Sequence, residues 1–222
     1  MYKIVEINKK IIYDLINELN NYSNFFGDLP LNFIDGKISL NNISDRSVLQ
    51  KAFEILNSSV VLSKITCDDL GIELNSFLNY PMLWTYPQLR IDCEANRKFE
   101  APLHKDGFIL GKELKGIVVW LPINFEGASL DIITNPGKTF IKKNDYWGLE
   151  CHCEDETSTK IEIKFGEALI FDQDLIHRSN PIEKGQITLQ LRFFEPETEF
   201  FYRPVVQKSS EPIIKYQKNL SK

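Results

Sequence analysis

Between Leu83 and Phe194 the chain is cut into short apolar runs by turn-forming residues, and that pattern admits few architectures. The runs are Leu89–Cys93, Gly116–Leu121, Leu130–Thr134, Lys160–Lys164, Ala168–Asp172 and Gln186–Phe194. Each has the length of a β-strand, and Gly, Pro and Asn punctuate the gaps between them. Several strands at this spacing predict a β-sandwich or jelly roll. The last run alternates strictly. Gln186, Thr188, Gln190 and Arg192 share one face, while Ile187, Leu189, Leu191 and Phe193 share the other. Four polar residues on one face of so central a strand are costly unless they line a wet or liganded cavity, or face solvent.

The first eighty residues read as mainly helical. Ile11, Ile12, Leu15, Ile16 and Leu19 recur at helical spacing, as do Val48, Leu49, Phe53 and Leu56. Ser44-Asp45 is a plausible cap for the second helix, and a third is expected over Asp68–Leu78, ended by Pro81. Gly27-Asp28-Leu29-Pro30 and Asp35-Gly36 mark turns. The expected fold class is therefore α+β, mainly β, with helices appended at the N-terminus. At 222 residues one domain suffices. It divides into a helical part over 1–82, a β core over 83–207 and a polar, flexible tail over 208–222. Fifteen Phe and eight Tyr suit an aromatic-rich sheet core.

A net charge of −5 argues against nucleic acid as a partner, since such binders carry a basic footprint. The opening residues lack the apolar centre of a signal peptide, and no apolar run is long enough to cross a bilayer, so a cytoplasmic protein is expected. Cys67, Cys93, Cys151 and Cys153 are then reduced thiols. Cys151-His152-Cys153 has no second ligand pair nearby, and an irregular loop is expected there rather than a zinc clip.

The residues that carry chemistry are His104-Lys105-Asp106 and, far downstream, His177. Two imidazoles and one carboxylate form the facial ligand set of a non-heme Fe(II) centre, which keeps coordination positions open. The chain holds only three histidines, and two stand here. In an extended segment His104 and Asp106 would point to one face. His177 follows a turn and an apolar strand, Gly166-Glu167-Ala168-Leu169-Ile170-Phe171-Asp172, and sits at the mouth of that strand system.

As an ordered set, Leu89-Arg90-Ile91-Asp92, Leu103-His104-Lys105-Asp106, Val119-Trp120-Leu121-Pro122, Gly166-Glu167-Ala168-Leu169-Ile170-Phe171, His177-Arg178-Ser179 and Gln190-Leu191-Arg192-Phe193 resemble the Fe(II)/2-oxoglutarate-dependent dioxygenases. The resemblance is to the phytanoyl-CoA dioxygenase-like family and covers residues 85–195. It implies a double-stranded β-helix, the jelly roll of cupin-like proteins. It implies Fe(II) on His104, Asp106 and His177, with 2-oxoglutarate as co-substrate and O2 as oxidant. Ser179 and Thr188 match positions that hold 2-oxoglutarate, Trp120 an aromatic of the cavity wall, and Arg90 a substrate contact. Gln186 stands where the family has an arginine, so Arg192, on the same strand face, is expected to grip the co-substrate carboxylate. Lys184 and Arg178 stand in reserve, and Asn135-Pro136-Gly137-Lys138 alters a loop. Because Asp106 is present, hydroxylation is expected rather than halogenation. The substrate expected by analogy is a small metabolite, such as a sugar derivative or a specialised-metabolite precursor. A cupin-type metal-dependent isomerase or epimerase, and a catalytically silent dioxygenase-like binding protein, are the rival readings.

Overall fold

A computed structural model describes residues 1–26, 31–34, 37–40, 59–66, 70–79, 81–83, 87–92, 102–107, 115–123, 127–144, 148–154, 157–180 and 186–195. The expected second helix with its Ser44-Asp45 cap, the turns at 27–30 and 35–36, Lys184 and the tail over 208–222 lie outside the described residues. The elements begin with β1 (Tyr2–Glu6), α1 (Lys9–Phe26), β2 (Leu31–Ile34), β3 (Lys37–Leu40), α2 (Val60–Lys64) and α3 (Gly71–Phe77). They continue with β4 (Met82–Leu83), β5 (Gln88–Asp92), β6 (Gly116–Pro122), β7 (Ala128–Ile133) and β8 (Thr139–Asn144). The chain then forms β9 (Gly148–Cys153), β10 (Ser158–Ile163), β11 (Glu167–Asp172), β12 (Ile176–Asn180) and β13 (Gln186–Phe194).

The main sheet runs β1-β11-β6-β13, with β4 and β5 sharing the far edge of β13. A second sheet runs β10-β7-β12, and β8 pairs with β9 as a hairpin. Every pairing is antiparallel. β6 shows why the main sheet lies between two layers. All seven of its residues are buried, so neither face meets water. Ile117, Val119 and Leu121 join α1 residues Ile12, Leu15 and Leu19 in one apolar cluster. Val118 and Trp120 face the other way and pack with Leu130, Ile132 and Ile161 of the second sheet. The period-two alternation of the strand thus supplies both interfaces.

α1 starts where Asn8 accepts a hydrogen bond from the Lys10 N–H at 3.0 Å, an N-cap that occupies one otherwise unpaired donor. Ser59 caps α2 by accepting from Leu62 N at 2.9 Å, and its hydroxyl donates to Glu18 on α1, joining the two helices. The N-terminal part carries strands beside its helices. Tyr2–Glu6 is the edge strand of the main sheet, paired residue for residue with β11, and β2–β3 is a hairpin. A five-residue edge strand buries only Val5, so no run of apolar residues announced it. Among the described residues no helix is long and apolar enough to cross a membrane.

Candidate metal centre

His104 and His177 face each other in an isolated antiparallel bridge, each N–H donating to the other's carbonyl at 3.0 Å. Residues paired in this way project to the same side, and the two rings lie 4.3 Å apart between centroids. Their chain neighbours Leu103 and Ile176 lie together in a small apolar cluster with Ile133, Cys151 and Cys153. Cys151 N donates to Leu103 O at 2.6 Å, so the His104 segment is held between β9 and β12. Cys151-His152-Cys153 is therefore part of a strand, not the irregular loop expected, and its buried thiols back the histidine-bearing segments. The sequence offered little warning, because β9 draws its order from β8 and Leu103 rather than from a run of apolar residues of its own.

Asp106 departs from the extended geometry expected of it. It lies in a turn, anchored when Gly107 N donates to Gln173 O at 2.9 Å. Gln173 belongs to the turn between β11 and β12, where Leu175 N donates to Asp172 O and Asp174 N to Asp172 Oδ1. That turn passes the chain from the main sheet to the second sheet. It brings His177, the second residue of β12, to the same rim as Asp106.

One ligand atom from each of His104, Asp106 and His177 lies within 4.8 Å of the others, which makes this a three-donor cluster. Both imidazoles are oriented from behind. Nδ1 of His104 donates to Pro102 O at 2.8 Å, and Nδ1 of His177 to Leu175 O at 2.9 Å. Nε2 is then the ring nitrogen with which each histidine would ligate an ion, the arrangement that ligating histidines need. Burial, with a smaller contribution from His104, pushes the His177 pKa down to about 3, so the ring is neutral near pH 7. Burial alone would raise Asp106, but Arg192 and the two histidines hold it below the usual carboxylate range. Two imidazoles and one buried carboxylate fit a divalent ion that accepts mixed nitrogen and oxygen donors.

A small cavity at the cluster is lined by Val118, Trp120, Leu130, Phe171, Ser179 and Gln190 together with the three candidate ligands. Trp120 and Ser179 stand in its wall. Thr188 is 0 % exposed on the same strand face as Gln190, and neither its Oγ1 nor Trp120 Nε1 has a hydrogen-bond partner. Arg192 also reaches the site, but its guanidinium engages the Asp106 carboxylate, with Nε at 2.8 Å and Nη2 at 2.7 Å from Oδ1. Arg178 stays away. It is exposed on β12 and pairs with Asp131 at 3.3 Å. Arg90 and Gln186 are placed by backbone register only, opposite Thr188 and Asp92 respectively. Phe171 also lines the cavity, as does Gln190 of the polar face of the last run. Their signal was alternation: Phe171 shares a face with Leu169 on β11, and Gln190 lies between Thr188 and Arg192 on the polar face of β13.

No protein-family model matches the sequence, and no curated protein matches it. Solved structures do match. ThoJ, described as a non-heme monooxygenase, aligns with a TM-score of 0.63 at 12% identity, over 95% of this chain and 81% of its own. EvdO2 from Micromonospora carbonacea var. aurantiaca aligns at 0.57 and 14% identity, over 87% of this chain and 86% of its own. AviO1 from Streptomyces viridochromogenes Tue57 aligns at 0.53 and 13% identity, over 88% of this chain and 90% of its own. ThoJ is also known as a nickel complex and EvdO2 as a complex with 2-oxoglutarate. At such identities the likeness is one of fold: this chain shares its fold with the non-heme monooxygenase ThoJ.

Proposed function

We propose that this chain is an Fe(II)- and 2-oxoglutarate-dependent oxygenase, a hydroxylase of the phytanoyl-CoA dioxygenase-like type, acting on a small metabolite. The observation that carries this reading is the convergence of His104, Asp106 and His177 at one buried rim, with both Nδ1 atoms tied back to carbonyls. The two facing sheets are read as a jelly roll, with residues 1–222 forming one domain.

In this reading His104 Nε2, His177 Nε2 and an Asp106 oxygen hold the iron and leave coordination positions for co-substrate and O2. Bound iron and 2-oxoglutarate supply the oxidising chemistry, while the protein orients the target carbon and excludes water. Val118, Trp120, Leu130 and Phe171 provide the apolar wall that keeps water out. Ser179 and Thr188, with Gln186 on the face that carries Thr188, are the residues assigned to the co-substrate; Arg192, expected to grip its carboxylate, engages Asp106 instead. The partnerless Thr188 Oγ1 supports that assignment, since a buried polar group without a partner costs about 1–3 kcal/mol and a bound ligand would relieve it. Arg90 and Trp120 are assigned to the substrate, which analogy places among sugar derivatives or specialised-metabolite precursors.

Anaerobic titration with Fe(II) and then 2-oxoglutarate tests the reading. The expected result is a weak visible charge-transfer band, followed on admission of O2 by succinate. Metal binding with neither band nor succinate would replace it with a non-oxidative metal enzyme. No metal binding at all would replace it with a silent binding protein.

A further inference from the structure

The Asp106 carboxylate is divided between two environments. Its Oδ1 receives both Arg192 Nε at 2.8 Å and Nη2 at 2.7 Å, whereas its Oδ2 lies 3.4 Å from His177 Nε2, inside the candidate ligand cluster. An arginine fork ordinarily takes two carboxylate oxygens, one to each N–H. Here both donors converge on a single oxygen, and the other is left toward the histidines. The pair is deeply buried, Asp106 at 1 % and Arg192 at 5 % exposure, and joins residues 86 apart in sequence. Gln190 Oε1 also accepts from Arg192 Nη2 at 3.3 Å, so the guanidinium is held on its own strand as well.

On the reading that this cluster holds a metal, we propose that Arg192 is the positioning residue of the centre. It fixes Asp106 as a one-oxygen ligand through Oδ2 and preforms the site before the ion arrives. Two consequences follow from the geometry. A carboxylate clamped at Oδ1 cannot swing to chelate through both oxygens, so a coordination position that a chelating Asp106 would fill remains open. The pair also stays compensated while empty of metal, because a buried carboxylate without a cation beside it would be strongly destabilising. Arg192 thereby acts on the metal through Asp106 rather than on the co-substrate directly. The neutral groups Trp120 Nε1, in the cavity wall, and Thr188 Oγ1, on the strand face that carries Arg192, are left for other ligands.

The experiment is an anaerobic Co(II) titration of the full chain, read by calorimetry and by the visible Co(II) spectrum, followed by 2-oxoglutarate titration of the Co(II)-saturated protein. Arg192→Gln should weaken Co(II) binding by about tenfold to a hundredfold, the usual cost of losing an outer partner of a metal ligand. It should also shift the Co(II) bands, and leave 2-oxoglutarate affinity at saturating Co(II) unchanged. Wild-type Co(II) affinity and bands, with 2-oxoglutarate affinity lost, would overturn the proposal and make Arg192 a co-substrate grip. Arg192→Lys retains the charge and tolerates the burial better, so it carries the test if the glutamine variant does not fold. A single ammonium cannot reproduce the fork, and shifted bands are expected; wild-type bands and affinity would overturn the proposal. His177→Ala separates this proposal from the function it rests on. If that variant loses Co(II) while the Arg192 variants bind it like wild type, the metal centre stands and only the positioning role fails. If wild-type protein does not bind Co(II), both fail.

Discussion

β13 has two faces that do opposite work. Ile187, Leu189, Leu191 and Phe193 are buried in the apolar cluster that α1 covers, with no polar side chain of the strand among them. Thr188, Gln190 and Arg192 alternate with them and face the interior between the sheets, where Arg192 meets the candidate metal centre. The same nine residues thus build a helix-covered wall on one side and a polar lane on the other. The first face is interchangeable hydrocarbon, tuned by volume. The second is particular chemistry, and its buried polar atoms are tolerable only where each finds a partner or a ligand. Stability and function should therefore separate along a single strand, by parity of position.

The sharpest separation should come from the ligands. His177→Ala removes one of three donors on the interior side and should lower metal affinity by more than about a hundredfold, beyond the cost of losing an outer partner. Turnover should fall with it, while the far-UV spectrum and urea midpoint stay close to wild type. A variant that unfolds instead would mean that the interior side also carries the fold. Leu191→Ala is the mirror experiment. Leu191 is fully buried on the helix side, and its truncation should cost about 2–5 kcal/mol in urea unfolding, through lost burial and the cavity left behind. The protein that remains folded should bind Co(II) with wild-type affinity.

Parity of position also governs what the sequence disclosed. β13 was legible because eight positions, Gln186–Phe193, alternate without a break and period two admits no other face assignment. β6 and β11 were legible as apolar runs, since strands covered on both faces need hydrocarbon at nearly every position. β12 was not. Ile176-His177-Arg178-Ser179-Asn180 has one aliphatic residue, and its order comes from pairing with β7 and from the bridge to His104. The three metal-binding candidates were legible by residue type alone, since a chain with three histidines gives few ways to assemble two imidazoles and a carboxylate. The turn that carries Asp106, and its pairing with a guanidinium 86 residues away, were not legible. Alternation says which face Arg192 occupies, but a contact across that distance depends on how the two sheets close.

Thr188→Val tests the polar lane itself with little change of shape. The hydroxyl is buried without a partner, so its removal should leave stability unchanged or raise it by up to about 1 kcal/mol. If the same oxygen meets the co-substrate, 2-oxoglutarate affinity should fall by about fivefold to tenfold, the net worth of one hydrogen bond. Calorimetry on the metal-loaded protein and a urea curve on the same sample would show the two effects moving in opposite senses. A loss of stability with unchanged affinity would instead assign the hydroxyl to the fold.

The smallest effect is expected at Arg178, and it sharpens the contrast from outside. Arg178 follows His177 directly and Arg192 contacts Asp106, yet alternation on β12 turns Arg178 outward, next to Asp131, while His177 and Ser179 face the cavity. Its ion pair is 3.3 Å long and half open to water, where solvent screening and side-chain entropy leave such a pair worth only about 0–1 kcal/mol. Arg178→Ala should therefore shift the urea midpoint barely beyond error and leave both Co(II) and 2-oxoglutarate affinities at wild-type values. Loss of 2-oxoglutarate affinity in this variant would mean that β12 can turn its outer residue toward the cavity. The parity that divides β13 into a wall and a lane would then not extend to the second sheet.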